Sequence, residues 1–170
     1  MSEYLEKVKD RMSGKYFHYT SISGFHKIKQ SSVINSSSEI GDSIWNHKSF
    51  SRQMGYTSIF DFTISSLKID EYFYRSAGVF RFSPNGILLE LDIIKTAPYV
   101  RSYLDERKCI TSRSSPQHIP YVESFLTGPV PIGVVKNVYL MNKEEVTLKM
   151  ISFETELNEF SLANKSYSKR

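Results

Sequence analysis

Tyr16-Phe17-His18-Tyr19-Thr20-Ser21-Ile22-Ser23-Gly24-Phe25-His26-Lys27-Ile28 compresses a strand, a stop and a helix start into one short run. Tyr16, His18 and Thr20 alternate with Phe17 and Tyr19, the period of a strand. Thr20, Ser21 or Ser23 can cap the helix that follows, in which Ile22, Phe25 and Ile28 recur every third position. With Phe17 and Tyr19 turned to the core, His18 is predicted to point into a cleft above the strand end. A polar ring beside a helix N-terminus is a reasonable ligand contact.

Working outward, residues 2–12 carry Leu5, Val8 and Met12 on one helical stripe, closed by Ser13-Gly14. Val33-Ile34-Asn35 is a short strand, and 35–48 is a polar loop holding the lone tryptophan, Trp45. Tyr56, Ser58, Phe60 and Phe62 alternate along a strand over 56–63, and a helix follows to about residue 76. Ser83-Pro84-Asn85-Gly86 predicts a hairpin tip between 79–82 and 87–91. Further on come a helix over 98–107, a polar loop over 111–118, a strand over 121–126, and a hairpin of 134–141 with 146–153. The last residues, 164–170, form a polar tail. Early helices and a late run of strands make the class α+β, within one domain spanning 1–170.

Composition sets the outer limits. The chain has 170 residues, 40% of them hydrophobic, enough for one domain with its own core. No apolar run suits a membrane span, and the first residues lack a signal peptide pattern. A cytoplasmic protein is expected, or one delivered into a target cell without a cleavable signal. The single cysteine, Cys109, excludes an internal disulfide and a cysteine-built zinc site. His26, His47 and His118 are too scattered to predict a metal site, and His26 is expected in solvent. Cys109 and His118 lack a third group that would make them a nucleophile and base. The net charge of +4 is mild and has no dense basic block.

Three blocks together resemble the ADP-ribosyltransferase superfamily, closest to small bacterial or phage toxin-like members with a His-Tyr-Thr first strand. The first is His18-Tyr19-Thr20. The second, Arg52-Gln53-Met54-Gly55-Tyr56-Thr57-Ser58-Ile59-Phe60-Asp61-Phe62, is similar to the family's second core strand. The third, Ile119-Pro120-Tyr121-Val122-Glu123-Ser124-Phe125-Leu126 with Gly128-Pro129-Val130-Pro131-Ile132 after it, resembles the strand of the catalytic glutamate. The resemblance implies a split, bent, mainly antiparallel sheet flanked by helices, with NAD as substrate. It implies Glu123, His18 and Tyr56 as catalytic residues. His18, Tyr19, Thr20, Arg52, Tyr56 and Ser58 would contact NAD, with Tyr19 and Thr20 doing so through backbone groups.

The chemistry asks for such a set. Breaking the bond between nicotinamide and ribose builds positive charge on the sugar, which a carboxylate stabilises. A ring or guanidinium must hold the ribose or pyrophosphate, and an aromatic surface must meet nicotinamide. Members that modify arginine commonly carry Glu or Gln two residues before the catalytic Glu. Tyr121 stands there, which argues against an arginine acceptor. Ser58 belongs to a Thr-Ser pair similar to part of the Ser-Thr-Ser motif of another branch.

The expected partner is a macromolecular acceptor, protein or nucleic acid, with an antitoxin or immunity protein as a further partner and no membrane. Two other readings compete: a non-enzymatic interaction or inhibitor protein on the same fold, and a nucleic-acid-binding module using Arg52, Trp45 and the basic loop around Arg107, Lys108 and Arg113 without NAD. The loop with Trp45 is expected to fold over the NAD cleft, to contact the acceptor, or to be pinned to the core by that ring.

Overall fold

The computed structural model describes residues 10–35, 51, 54–63, 85–102, 122–142 and 147–157. Within them the architecture is α+β and mostly antiparallel. One sheet holds β1 (Tyr16–Thr20), β3 (Tyr56–Asp61), β4 (Asn85–Leu91), β5 (Val100–Arg101), β6 (Glu123–Thr127), β8 (Val135–Asn142) and β9 (Thr147–Ile151), in the order β5-β6-β3-β1-β4-β8-β9. A second, two-stranded sheet pairs β2 (Val33–Ile34) with β7 (Val130–Pro131). The predicted helix over 65–76, the strand over 79–82, residues 2–9 of the first helix and the part of the predicted helix 98–107 beyond residue 102 lie outside the described residues. So do the loop with Trp45, the loop over 111–118, the tail over 164–170, and Arg52, Cys109 and His118.

The opening stretch forms the predicted strand, cap and helix, but the expected sides are corrected. His18 lies on the helix-covered core side, because the helix folds back over that face, and of Phe17 and Tyr19 only Phe17 is fully buried. Ser21 is the helix N-cap: its side-chain oxygen accepts from the Gly24 N–H at 3.0 Å, satisfying a donor that the first turn leaves unpaired. The helix runs Ile22–Ser31 and buries Ile22, Phe25 and Ile28. Ser32 ends it in the left-handed conformation, at φ 58°, with its N–H returned to the Ile28 carbonyl. The buried stripe packs on Ile59, Ile87, Leu89, Leu126 and Val138 of the sheet. Each such side chain contributes about 1.5–3 kcal/mol when fully buried. A Cβ on Gly24 would run into Thr20 Oγ1, so a larger residue there would force that hydroxyl to turn.

Residues paired across an antiparallel ladder share a face. The pairs Tyr16↔Leu91, His18↔Leu89 and Thr20↔Ile87 therefore lie on the side covered by this helix. Phe17, Tyr19, Phe60 and Glu123 lie on the other side, through Phe17↔Phe60 and Phe60↔Glu123. That second side is covered at one end. There Phe17, Phe62 and Tyr139 pack ring against ring, with centroids 6.3 Å apart, and the Arg11 guanidinium sits 5.9 Å from the Tyr139 ring.

Three further local expectations are corrected. Asn85-Gly86 is no turn: both residues lie inside β4, opposite Asn142 and Met141. Pro98 does not start a long helix. It sits in a short 3-10 turn, Ala97–Tyr99, that follows a helical turn Ile93–Thr96 and leads directly into β5. His26 is not left to solvent, since its Nε2 donates to the Leu157 carbonyl at 2.8 Å and ties the helix to the C-terminal segment.

Candidate functional site

The ladder between β1 and β3 is short. β1 matches β4 at five positions but β3 at only two, Tyr16↔Asp61 and Phe17↔Phe60. Past Phe17 the two central strands no longer pair, and the sheet is split. The Ser58 carbonyl at this split accepts a hydrogen bond from the His18 ring, Nδ1 to O at 3.1 Å. A carbonyl only accepts, so Nδ1 carries the proton. In the neutral ring, Nε2 is then left with a lone pair.

Burial holds the His18 imidazole below the ordinary histidine value of 6.5, partly countered by the bond to Ser58. The ring is thus neutral at pH 7. The sign of the linkage follows: the unfolded chain takes up a proton at 6.5 before the folded one does. His18 therefore favours the fold fully above that pH and less as pH falls below it. Nitrogen-detected NMR should give the Nδ1–H tautomer with a titration midpoint below 6.5. A midpoint at or above that value, or the Nε2–H tautomer, would contradict this geometry.

The other half of the site stands on β3 and β6. Ser58 Oγ donates to Glu123 Oε1 at 2.6 Å, a short hydrogen bond to a carboxylate. The register explains it: Ser58 pairs with Phe125 and Phe60 with Glu123, so Ser58 and Glu123 are diagonal neighbours on one face. Tyr56 and Phe125 share that face, with ring centroids 6.1 Å apart. Thr57 and Ile59 point the other way and are buried. Tyr56, Ser58 and Glu123 are half-exposed, although β3 and β6 lie well inside the sheet order. Phe125, on the same face opposite Ser58, is fully buried, so water reaches this face at Tyr56, Ser58 and Glu123 and not at the ring between them.

Ser58 joins the predicted residues: its backbone oxygen holds His18 and its hydroxyl holds Glu123. The strands of His18 and Glu123 are not neighbours, since β3 stands between them. Strand alternation places His18 on the helix-covered side, and its ring reaches Ser58 along the split. Tyr19, rather than His18, shares the face of Glu123. Thr20 lies against Gly24 at the helix start.

Sequence reasoning missed Glu90. It lies on the Glu123 side of the sheet but is only 3% exposed, under the covered end. Tyr139 Oη donates to it at 2.7 Å and Asn137 Nδ2 at 3.1 Å, and Lys15 Nζ stands 3.7 Å away. Burial would raise its carboxyl. The hydrogen bonds from Tyr139 and Asn137 and the charges of Lys15 and Lys136 outweigh that, so it titrates below the ordinary 4.5. Burial and the bond to Glu90 push the Tyr139 phenol up to about 12. The signal was a lone charge in Ile87-Leu88-Leu89-Glu90-Leu91. Its partners make it a structural carboxylate.

Among the described residues, no group of His, Cys, Asp or Glu is placed to hold a metal ion. No described helix is long and apolar enough to cross a membrane. The chain matches no family model, no curated protein and no solved structure.

Proposed function

We propose that this protein transfers ADP-ribose from NAD to a macromolecular acceptor, in the manner of a toxin or effector. The observation that carries the reading is the two-sided role of Ser58 at the split between β1 and β3. It fixes a carboxylate on one strand and a neutral imidazole on another. The split, mainly antiparallel sheet supports an ADP-ribosyltransferase-like fold for the same reason.

The residues present suit NAD chemically. On the Glu123 side, the partly exposed Tyr56 ring, backed by the buried Phe125, offers an aromatic surface for nicotinamide, while His18, on the helix-covered side, acts on this site through the Ser58 carbonyl. Bound NAD supplies a ribose carbon whose bond to nicotinamide breaks with the electron pair leaving on nitrogen. Glu123 then stabilises the positive charge developing on the sugar, and its carboxylate can take the proton of the attacking acceptor group. Ser58 holds the Glu123 carboxylate in one orientation, so less reorganisation is needed during the reaction. With water as acceptor, the same steps hydrolyse NAD.

Incubation with NAD labelled in nicotinamide, with and without cell lysate, tests the reading. Release that rises with lysate supports transfer, and no release under either condition counts against any NAD-dependent activity. Salt-sensitive binding to DNA or RNA without release would favour a nucleic-acid-binding module instead. Ser58→Ala should lower turnover by about tenfold while leaving the KM for NAD nearly unchanged, because it loosens Glu123 without removing its charge. A rise in KM alone would assign Ser58 to NAD binding rather than to holding Glu123.

A further inference from the structure

Gly86 occupies an interior position of β4, where glycine weakens a strand. Its φ is not among the left-handed values, so the backbone does not demand it. The demand comes from Tyr19. A Cβ on Gly86 would lie 2.3 Å from Tyr19 Cε2 and 3.0 Å from Cζ and Oη. The edge and hydroxyl end of the Tyr19 ring therefore occupy the place where a side chain of β4 would stand. Tyr19 pairs with Leu88, so Gly86 is its diagonal neighbour on the same face.

The direction of that lean matters. β1 stands between β3 and β4 in the sheet. A ring laid over β4 is a ring laid away from β3, where Ser58 and Tyr56 sit on the same face. Beyond Phe17 no ladder fills the gap between β1 and β3. A Tyr19 ring standing upright on β1 would project beside that gap.

We propose that Gly86 is a seat for the Tyr19 ring, and that this seat holds open the space before Ser58 and Glu123 into which a planar ligand ring enters. Tyr19 and Gly86 together then set how large a ring the site admits. The identity of that ligand as NAD rests on the function proposed above; the seat itself does not.

Gly86→Ala, Tyr19→Ala and the double variant separate the two. In an ordinary strand, Gly→Ala is neutral or stabilising. Here Gly86→Ala should lower the urea midpoint, and Tyr19→Ala should remove that loss, so that the double variant matches Tyr19→Ala alone. By calorimetry, Gly86→Ala should weaken NAD binding about tenfold through crowding, with recovery in the double variant. An unchanged urea midpoint in Gly86→Ala, or losses that simply add in the double variant, would overturn the seat. A coupled midpoint with unaltered NAD affinity would overturn the link to the ligand space. Should Gly86→Ala fail to fold, refolding in the double variant supports the seat and its absence refutes it. If the unmodified protein binds no NAD, the proposed function fails, and the urea comparison alone decides the seat.

Discussion

Glu123→Gln is expected to lower nicotinamide release by about a hundredfold or more, the scale for removing a preorganised charge from a transition state. The change keeps the side chain's size and its ability to accept from Ser58 Oγ, now at 2.6 Å from Oε1. What it removes is the negative charge, which matters most when the sugar becomes positive. An interaction stronger in the transition state than in the ground state appears in kcat. The affinity for NAD should therefore hold. The melting temperature should hold as well, since Glu123 is only half-buried at the start of β6 and Gln keeps its size. Nicotinamide release and a thermal melt on the same preparation check both. Unchanged release would remove Glu123 from the chemistry. A collapsed melt would make it a structural glutamate, with the short bond to Ser58 as its purpose.

Glu90→Ala should destabilise the fold by about 2–4 kcal/mol, the cost of leaving buried hydrogen-bonding groups and a charge without their partner. The Tyr139 hydroxyl and the Asn137 amide would lose their acceptor, and Lys15 its counter-charge. The effect has a pH signature. Glu90 titrates lower in the fold than its ordinary 4.5, so as pH falls the unfolded chain binds the proton first. Its contribution is complete above pH 4.5 and is lost as pH drops through the folded value. Urea titrations between neutral and acid pH should show a stability slope in that window that Glu90→Gln flattens. A loss below about 1 kcal/mol in Glu90→Ala, within reach of an exposed polar change, would show that the cluster adds little. Activity should fall only as far as folding does, which separates Glu90 from Glu123.

The two glutamates show why part of the site was legible and part was not. Each is a lone carboxylate in an apolar strand, and the sequence marks both as costly to bury. Which one is relieved by internal partners depends on β8, whose Asn137 and Tyr139 reach Glu90 from far along the chain. No spacing within a strand carries that information. His18 is a similar case. Alternation fixes the side of the strand it leaves from. The bond to Ser58 exists only because β1 and β3 part after two pairs.

What the sequence determined by itself is local and periodic. The opening strand, the Ser21 cap, the stripe Ile22-Phe25-Ile28, the alternation from Tyr56 and the β8–β9 hairpin all follow from side-chain periods and turn chemistry within a few residues. The α+β class follows from their order. Tertiary structure decided the rest, because glycine, proline and charge act through whatever stands opposite them. Asn85-Gly86 carries the composition of a turn, yet both residues pair with β8, and a Cβ on Gly86 would run into the Tyr19 ring. Pro98 suits a helix start, yet β6 recruits Val100 and Arg101 as an edge strand. Ser58, one of many serines by composition, becomes the hinge of the candidate site because its oxygens face two different strands. Periodicity states which way a side chain points, and only strand pairing states what it meets there.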